Sequence, residues 1–154
     1  MYIFAIFKEL FTLRDQTNTF LWASEVRSYE VDLQGIVNNA HYFHYFDHVR
    51  VKHLLSKGVD WEEWHKAGFD LVLVHADIKF VSSLRFRDSF TVISKIEKIS
   101  RLKILFRQTI LRNTDNKVVA EALNTTVCVS TKTSRPIFSE KLDSLLFGCE
   151  SLDV

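Results

Sequence analysis

Residues 29–50 read YEVDLQGIVNNAHYFHYFDHVR, and the order of residue types in this stretch decides how the rest of the chain is read. An acid, Asp32, and a glycine, Gly35, precede two asparagines, and a run of aromatic residues follows at helical spacing. The chain has only four glycines, so one placed beside an acid and ahead of the longest helical pattern marks a turn that needs its backbone freedom. Asn38 and Asn39 suit a helix start, because their side-chain oxygens accept from first-turn amides that have no partner within the helix. Residues 40–57 then follow the helical period. At about 100° per residue, Tyr42, Tyr45, Phe46, Val49 and His53 fall on one side, the expected core face. Gly58 is placed to end the helix.

Upstream, residues 20–31 (FLWASEVRSYEV) alternate apolar and polar positions and read as a first strand. Residues 1–13 put Ile3, Phe4, Phe7, Leu10 and Phe11 on one helical face, which fits either a docking helix or an extension ahead of the domain. The division expected is an N-terminal extension over residues 1–19 and a single domain over residues 20–154.

Downstream, residues 60–67 (DWEEWHKA) read as a short helix capped by Asp60 and closed by Gly68. Four runs rich in β-branched and aromatic residues follow, at 69–81, 89–99, 102–111 and 117–131. Leu102, Ile104, Phe106 and Ile110 share one parity, as do Ala76, Ile78 and Phe80. The NTDN run at 113–116 is a turn signal. With no helical crossovers between them, the four strands should form an antiparallel meander. Pro136 breaks the last one, and residues 139–146 suit a short terminal helix. The pattern is an α+β domain in which a curved sheet wraps the long helix.

The totals narrow the classes. At 154 residues the chain fits one domain with a real core, 47% hydrophobic and 25% charged. Thirteen phenylalanines point to an aromatic core or to an apolar surface buried in an oligomer. With 20 basic and 19 acidic residues, no broad nucleic-acid-binding face is implied. Cys128 and Cys149 form no close pair of the metal-binding or redox kind, which fits a reducing compartment. The apolar start MYIFAIF is too short to span a bilayer, and no later run reaches that length without charges, so a cytoplasmic location without membrane insertion is expected.

Chemistry enters at the opening stretch. Asp32 falls between a strand end and a helix start, close to amides that carry partial positive charge and can stabilise an oxyanion. A carboxylate there could act as nucleophile or general base on a carbonyl held at the helix terminus. On these grounds alone a cap or a solvated loop acid is the commoner meaning of such a residue.

The run DLQGIVNNAHY at residues 32–42, followed by Tyr45, Phe46 and Arg50, resembles the signature of hotdog-fold thioesterases of the 4-hydroxybenzoyl-CoA thioesterase type. Its asparagine pair is also similar to acyl-ACP thioesterases of plants and bacteria. The similarity continues through ADIKF at 76–80 and RFRD at 85–88. The resemblance implies the hotdog form of the α+β domain, paired into homodimers and often homotetramers with active sites between subunits. It makes Asp32 the catalytic carboxylate and Asn39 the residue whose backbone amide polarises the thioester carbonyl. Gly35 would let the loop bring the two together. Ser83 matches a hydroxyl near the site in some relatives, and Arg101 falls within a basic turn that holds CoA phosphates. Lys103 and Arg85 are flexible basic residues suited to the same task, although charged strand ends are as common. Relatives usually have glycine where this chain has Arg87, beside Asp88.

The function implied is hydrolysis of an acyl-CoA to free acid and CoA, with no metal and no dissociable cofactor. Asp32 either attacks the carbonyl or activates water, and both routes stay open. The alternatives are an acyl-ACP thioesterase and a non-catalytic acyl-thioester binding module, the latter having no need of Asp32. Other constellations are weaker. His41, His44 and His48 lie within about 60° on the helical wheel, a stripe that suits a subunit-facing or solvated side better than a metal. His53 is expected as a hydrogen-bonded core histidine, and Asp47 with Arg50 as an ion pair one turn apart. Phe43, Phe69 and Phe80 fit either an acyl pocket or the core.

Overall fold

The structure, a computed structural model, describes residues 18–148. The docking helix or extension expected over residues 1–13 lies outside them.

The long helix α1 (Asn39–Ser56) begins where its cap is supplied, with Asn38 Oδ1 accepting from the Ala40 N–H at 3.0 Å. Its buried residues are the five expected: Tyr42, Tyr45, Phe46, Val49 and His53. Gly58 then adopts φ +78°, a conformation that turns the chain away at little cost only for glycine. A second helix, α2 (Trp61–Lys66), is capped by Asp60, whose carboxylate accepts from the Glu62 and Glu63 amides. The terminal helix α3 (Glu140–Phe147) starts at Ser139 in the same way.

Five strands form one antiparallel sheet: β1 (Thr19–Glu25), β2 (Phe69–Phe80), β3 (Ser89–Lys98), β4 (Lys103–Arg112) and β5 (Val118–Ser130). Their spatial order is β1-β3-β4-β5-β2. Only β3, β4 and β5 form a meander, which corrects the expectation of four consecutive neighbours. β5 is buried over most of its length and needs a strand on each side, so β2 pairs with it at the far edge rather than with β3. The first strand is also shorter than expected. It ends at Glu25, because a 3-10 turn at Ser28–Glu30 is fastened by the Glu30 carboxylate accepting from the Arg27 N–H at 2.8 Å.

The sheet wraps α1. Tyr42, Tyr45, Phe46 and Val49 pack against Phe90, Val92, Ile110, Ala120 and Ala122 in one apolar cluster. A second cluster joins Trp64, Phe106, Cys128, Leu142 and Leu146 under α2 and α3. The inward parity of β4 contains Gln108 as well as Ile104, Phe106 and Ile110. Leu102, expected in that set, lies exposed in the turn ahead of the strand. The parity expected on β2 is weaker still, since Ala76 and Phe80 are exposed and Ile78 is half-buried. β2 has a bulge between Leu73 and His75, and its outer edge pairs with no strand among the described residues. No helix among the described residues is long and apolar enough to cross a membrane.

Candidate active site

β1 delivers the chain to one end of the sheet at Glu25, where Val26 N–H donates to Asp88 O at 3.0 Å. This ties the start of the site loop to the connector at residues 81–88. Glu30 is the next anchor, and it is buried although charged. Its carboxylate accepts from the Tyr45 hydroxyl at 2.6 Å, the Arg27 N–H at 2.8 Å and Arg27 Nη1 at 2.9 Å. Burial alone would push the Glu30 carboxyl up, but these donors outweigh it and hold it below the usual carboxylate range. The Tyr45 phenol moves the other way, raised first by burial and then by the carboxylate it faces.

From Val31 to Val37 the backbone folds back on itself through an isolated antiparallel bridge. Asp32 N–H donates to Ile36 O at 2.9 Å, and Gly35 N–H donates to Asp32 O at 3.0 Å. Gly35 holds φ +74°, the left-handed conformation that this tight turn requires. The Asp32 carboxylate is partly exposed and accepts from the Gln34 N–H at 2.8 Å. The turn therefore presents one oxygen to its own backbone, and the other accepts no hydrogen bond among the described residues.

The helix start is next. Asn38 N–H donates to Glu30 O at 3.0 Å, His41 N–H to Asn38 O at 2.9 Å, and Ala40 N–H to the Asn38 side chain. The Asn39 N–H has no hydrogen-bond partner among the described residues. An unpaired amide at the positive end of an 18-residue helix, with a carboxylate in the turn before it, is chemically suited to polarise a carbonyl.

Asp32, Gly35, Asn39, Ser83 and Arg85 lie at this one end of the sheet. The connector carrying Ser83 and Arg85 is held to the loop by Val37 N–H donating to Leu84 O at 2.8 Å. Arg85 Nη1 lies 4.0 Å from the point that a Gly35 Cβ would occupy. Within the same connector Arg87 adopts φ +69°, and its guanidinium stacks 5.1 Å from the Phe86 ring centre. Arg101 and Lys103 are elsewhere. They lie at and beyond the hairpin joining β3 to β4, at the opposite end of strands roughly 30 Å long. The Arg101 guanidinium sits 4.9 Å over the Phe138 ring. Within one chain these two residues do not meet Asp32.

A groove of about 840 Å³ runs between the second half of α1, α2 and β2, lined by Leu54, Trp61, Phe69, Leu71 and Phe106 among others. The Asp47–Arg50 ion pair, 2.6 Å long, also lines it. His41 and His44 make an edge contact with ring centres 5.4 Å apart, while His48 packs against Trp22. His53 is buried beside Ser94. Glu30 belongs to no motif in the sequence, and its one signal there is Tyr45 on the core face with a hydroxyl that needs a partner.

Residues 26–145 match the thioesterase-like superfamily over most of the chain. The chain belongs to that superfamily. It is a hotdog-fold thioester hydrolase, as its opening stretch implied. It is 35% identical over 108 residues to the chloroplastic acyl-acyl carrier protein thioesterase ATL2 of Arabidopsis thaliana, across 70% of this chain and 57% of that protein. It is 28% identical over 128 residues to the long-chain acyl-CoA thioesterase FadM of Escherichia coli strain K12, across 79% of this chain and 96% of FadM. The crystal structure of a 1,4-dihydroxy-2-naphthoyl-CoA thioesterase from Synechocystis superposes with a TM-score of 0.78 at 19% identity, covering 83% of this chain and 95% of that one.

Proposed function

We propose that this thioesterase hydrolyses acyl-CoA to free acid and CoA at the loop that carries Asp32. The observation that carries the assignment is the Asn39 N–H at the start of α1, directly after the Asp32 turn, which has no partner among the described residues. The thioester carbonyl oxygen accepts from that amide, and the helix dipole favours the negative charge that develops on it. Asp32 takes a proton from the attacking water, or attacks the carbonyl carbon itself to give a mixed anhydride that water then cleaves, releasing the acid and restoring the carboxylate. Thiolate then leaves without strong help from an acid. The match to FadM over nearly its whole length favours a CoA thioester. The groove beside α1 is apolar enough to take the acyl part, and it begins at Asp47, about 12 Å along the helix from Asn39.

A second substrate class is favoured by a specific observation, the 35% identity to an acyl-acyl carrier protein thioesterase. Carrier-protein thioesters are therefore the alternative substrate.

The free edge of β2, with Val72, Leu73 and Val74 exposed, is suited to pair with the same edge of a second copy. Antiparallel pairing would turn the Arg101 end of one copy toward the Asp32 end of the other. The active sites would then be intersubunit, and two such dimers could form a tetramer. We also place the enzyme in the cytoplasm, where the unpaired, buried thiol of Cys128 stays reduced.

Thiol release from acyl-CoAs of graded chain length, by wild type and Asp32→Asn, tests the assignment. Wild type should turn over, and the folded variant should lose at least ~100-fold in kcat. Turnover only with carrier-protein thioesters would select the second class. Binding of acyl-CoA without any turnover would make the chain a non-catalytic module.

A further inference from the structure

Glu30 lies two residues ahead of Asp32, and only 3% of its surface is exposed. A buried carboxylate is stable only when donors satisfy it, and an apolar residue would generally fill such a position at least as stably. Here one residue holds three parts of the site. Its carboxylate binds the Tyr45 hydroxyl on the second turn of α1, at 2.6 Å. It also binds the chain before the turn, through the Arg27 N–H and guanidinium. Its own carbonyl accepts from Asn38 N–H, at the cap of the same helix. Tyr45 has little room to move. It is equally buried, with its ring 4.7 Å from Phe90 and 6.0 Å from Tyr42. Tyr42 in turn accepts from Leu84 N–H, and Leu84 O accepts from Val37 N–H at the far end of the loop.

Hydrophobic packing would hold the loop on the helix without fixing its direction, whereas short charge-assisted bonds fix both distance and angle. Hydrolysis depends on that difference, because misplacing a reacting group by about 1 Å can cost on the order of 100-fold in rate. We propose that Glu30 and Tyr45 are positioning residues that clamp the loop at residues 31–37 to α1, keeping the Asp32 carboxylate at a set distance from the Asn39 N–H. The proposal rests on the assignment of Asp32 above. Neither residue touches substrate in it, so both act through Asp32.

The test is a double-mutant cycle of Tyr45→Phe and Asp32→Asn, read by steady-state thiol release from the thioester that wild type hydrolyses best. Tyr45→Phe keeps the ring and the core packing. It should lower kcat by roughly 10- to 100-fold and change KM by less than about 3-fold. Added to Asp32→Asn it should lower the residual rate no further, since residues that act as one unit are not additive. Hydrogen exchange at the Gly35 and Val37 amides should quicken in Tyr45→Phe, while the β4 amides stay protected. Wild-type kcat in Tyr45→Phe, with Asp32→Asn impaired, would overturn the clamp and leave the site assignment standing. Additive losses would also overturn it, because Tyr45 would then act through the fold in general. Full activity in Asp32→Asn would sink the site assignment and the clamp together. If Tyr45→Phe does not fold, Glu30→Gln takes its place in the cycle with the same outcomes.

Discussion

Nδ1 of His53 lies 3.1 Å from the Ser94 hydroxyl at the centre of the core, and its other ring nitrogen has no partner among the described residues. Phe20 stacks on the ring at 5.5 Å and Phe106 meets it edge-on at 6.2 Å. Burial, with a smaller push from the Lys57 charge, lowers its pKa from 6.5 to about 4. The folded protein therefore keeps this histidine neutral across a range in which the unfolded chain binds a proton. Between about pH 6.5 and pH 4 the unfolded state holds more protons, so stability falls as the pH falls through that window. Between pH 7 and pH 5 the loss from this residue is about 2 kcal/mol. Urea midpoints measured at the two pH values should show it, and His53→Gln should flatten the difference.

A second buried polar pair joins the sheet to the helix. Asn124 donates to Gln108 Oε1 at 2.9 Å, and Gln108 donates onward to Phe46 O at 3.0 Å. Removing one member strands the other in a dry site, which generally costs about 1–3 kcal/mol. Gln108→Met should cost that much. Adding Asn124→Val should then cost less than it does alone, giving a coupling of at least about 1 kcal/mol in equilibrium unfolding. Additive losses would mean that the two amides are satisfied independently.

Arg87 offers a stabilising change. It holds φ +69°, and non-glycine residues there are strained by about 1 kcal/mol. Its side chain makes one described contact, with Phe86. Arg87→Gly should raise stability by about 1 kcal/mol, measured by denaturant unfolding. A loss instead would show that the guanidinium stabilises the connector at residues 81–88 by more than the strain.

The parts of the fold set by local chemistry were legible in the residues. The core face of α1 could be read because five large side chains repeat at helical spacing. Asn38, Asp60 and Ser139 cap helices because short polar side chains suit unpaired amides wherever they occur. The position of β2 could not be read, since its pairing with β5 joins residues about 50 apart and no periodicity encodes a partner. Gln108 and Glu30 were hidden for a different reason. Each is a polar residue at a buried position, and only the arrival of Phe46 O or the Tyr45 hydroxyl makes the burial tolerable. In the candidate site, Asp32 and Gly35 share one hydrogen-bonded turn that leads within a few residues into the helix start at Asn39, so their link is local and legible. Arg101 shares no local link with them, and the structure places it at the other end of the sheet.

That separation makes the outer edge of β2 the surface on which the proposed intersubunit site depends. Val72 and Val74 are 40% and 52% exposed on a strand of twelve residues, and an apolar edge of this length invites another strand. If two copies pair there, each site draws on both, and separating them should remove activity without unfolding either. Val72→Lys with Val74→Lys places two charges on the edge while leaving the ladder to β5 intact. Sedimentation should find wild type as a dimer or tetramer at micromolar concentration and the double variant as a monomer. Its kcat/KM should fall by at least ~10-fold with cooperative unfolding retained. A wild type that sediments as a monomer and turns over would place the whole site within one chain, and Arg101 and Lys103 would then have no part in holding the thioester.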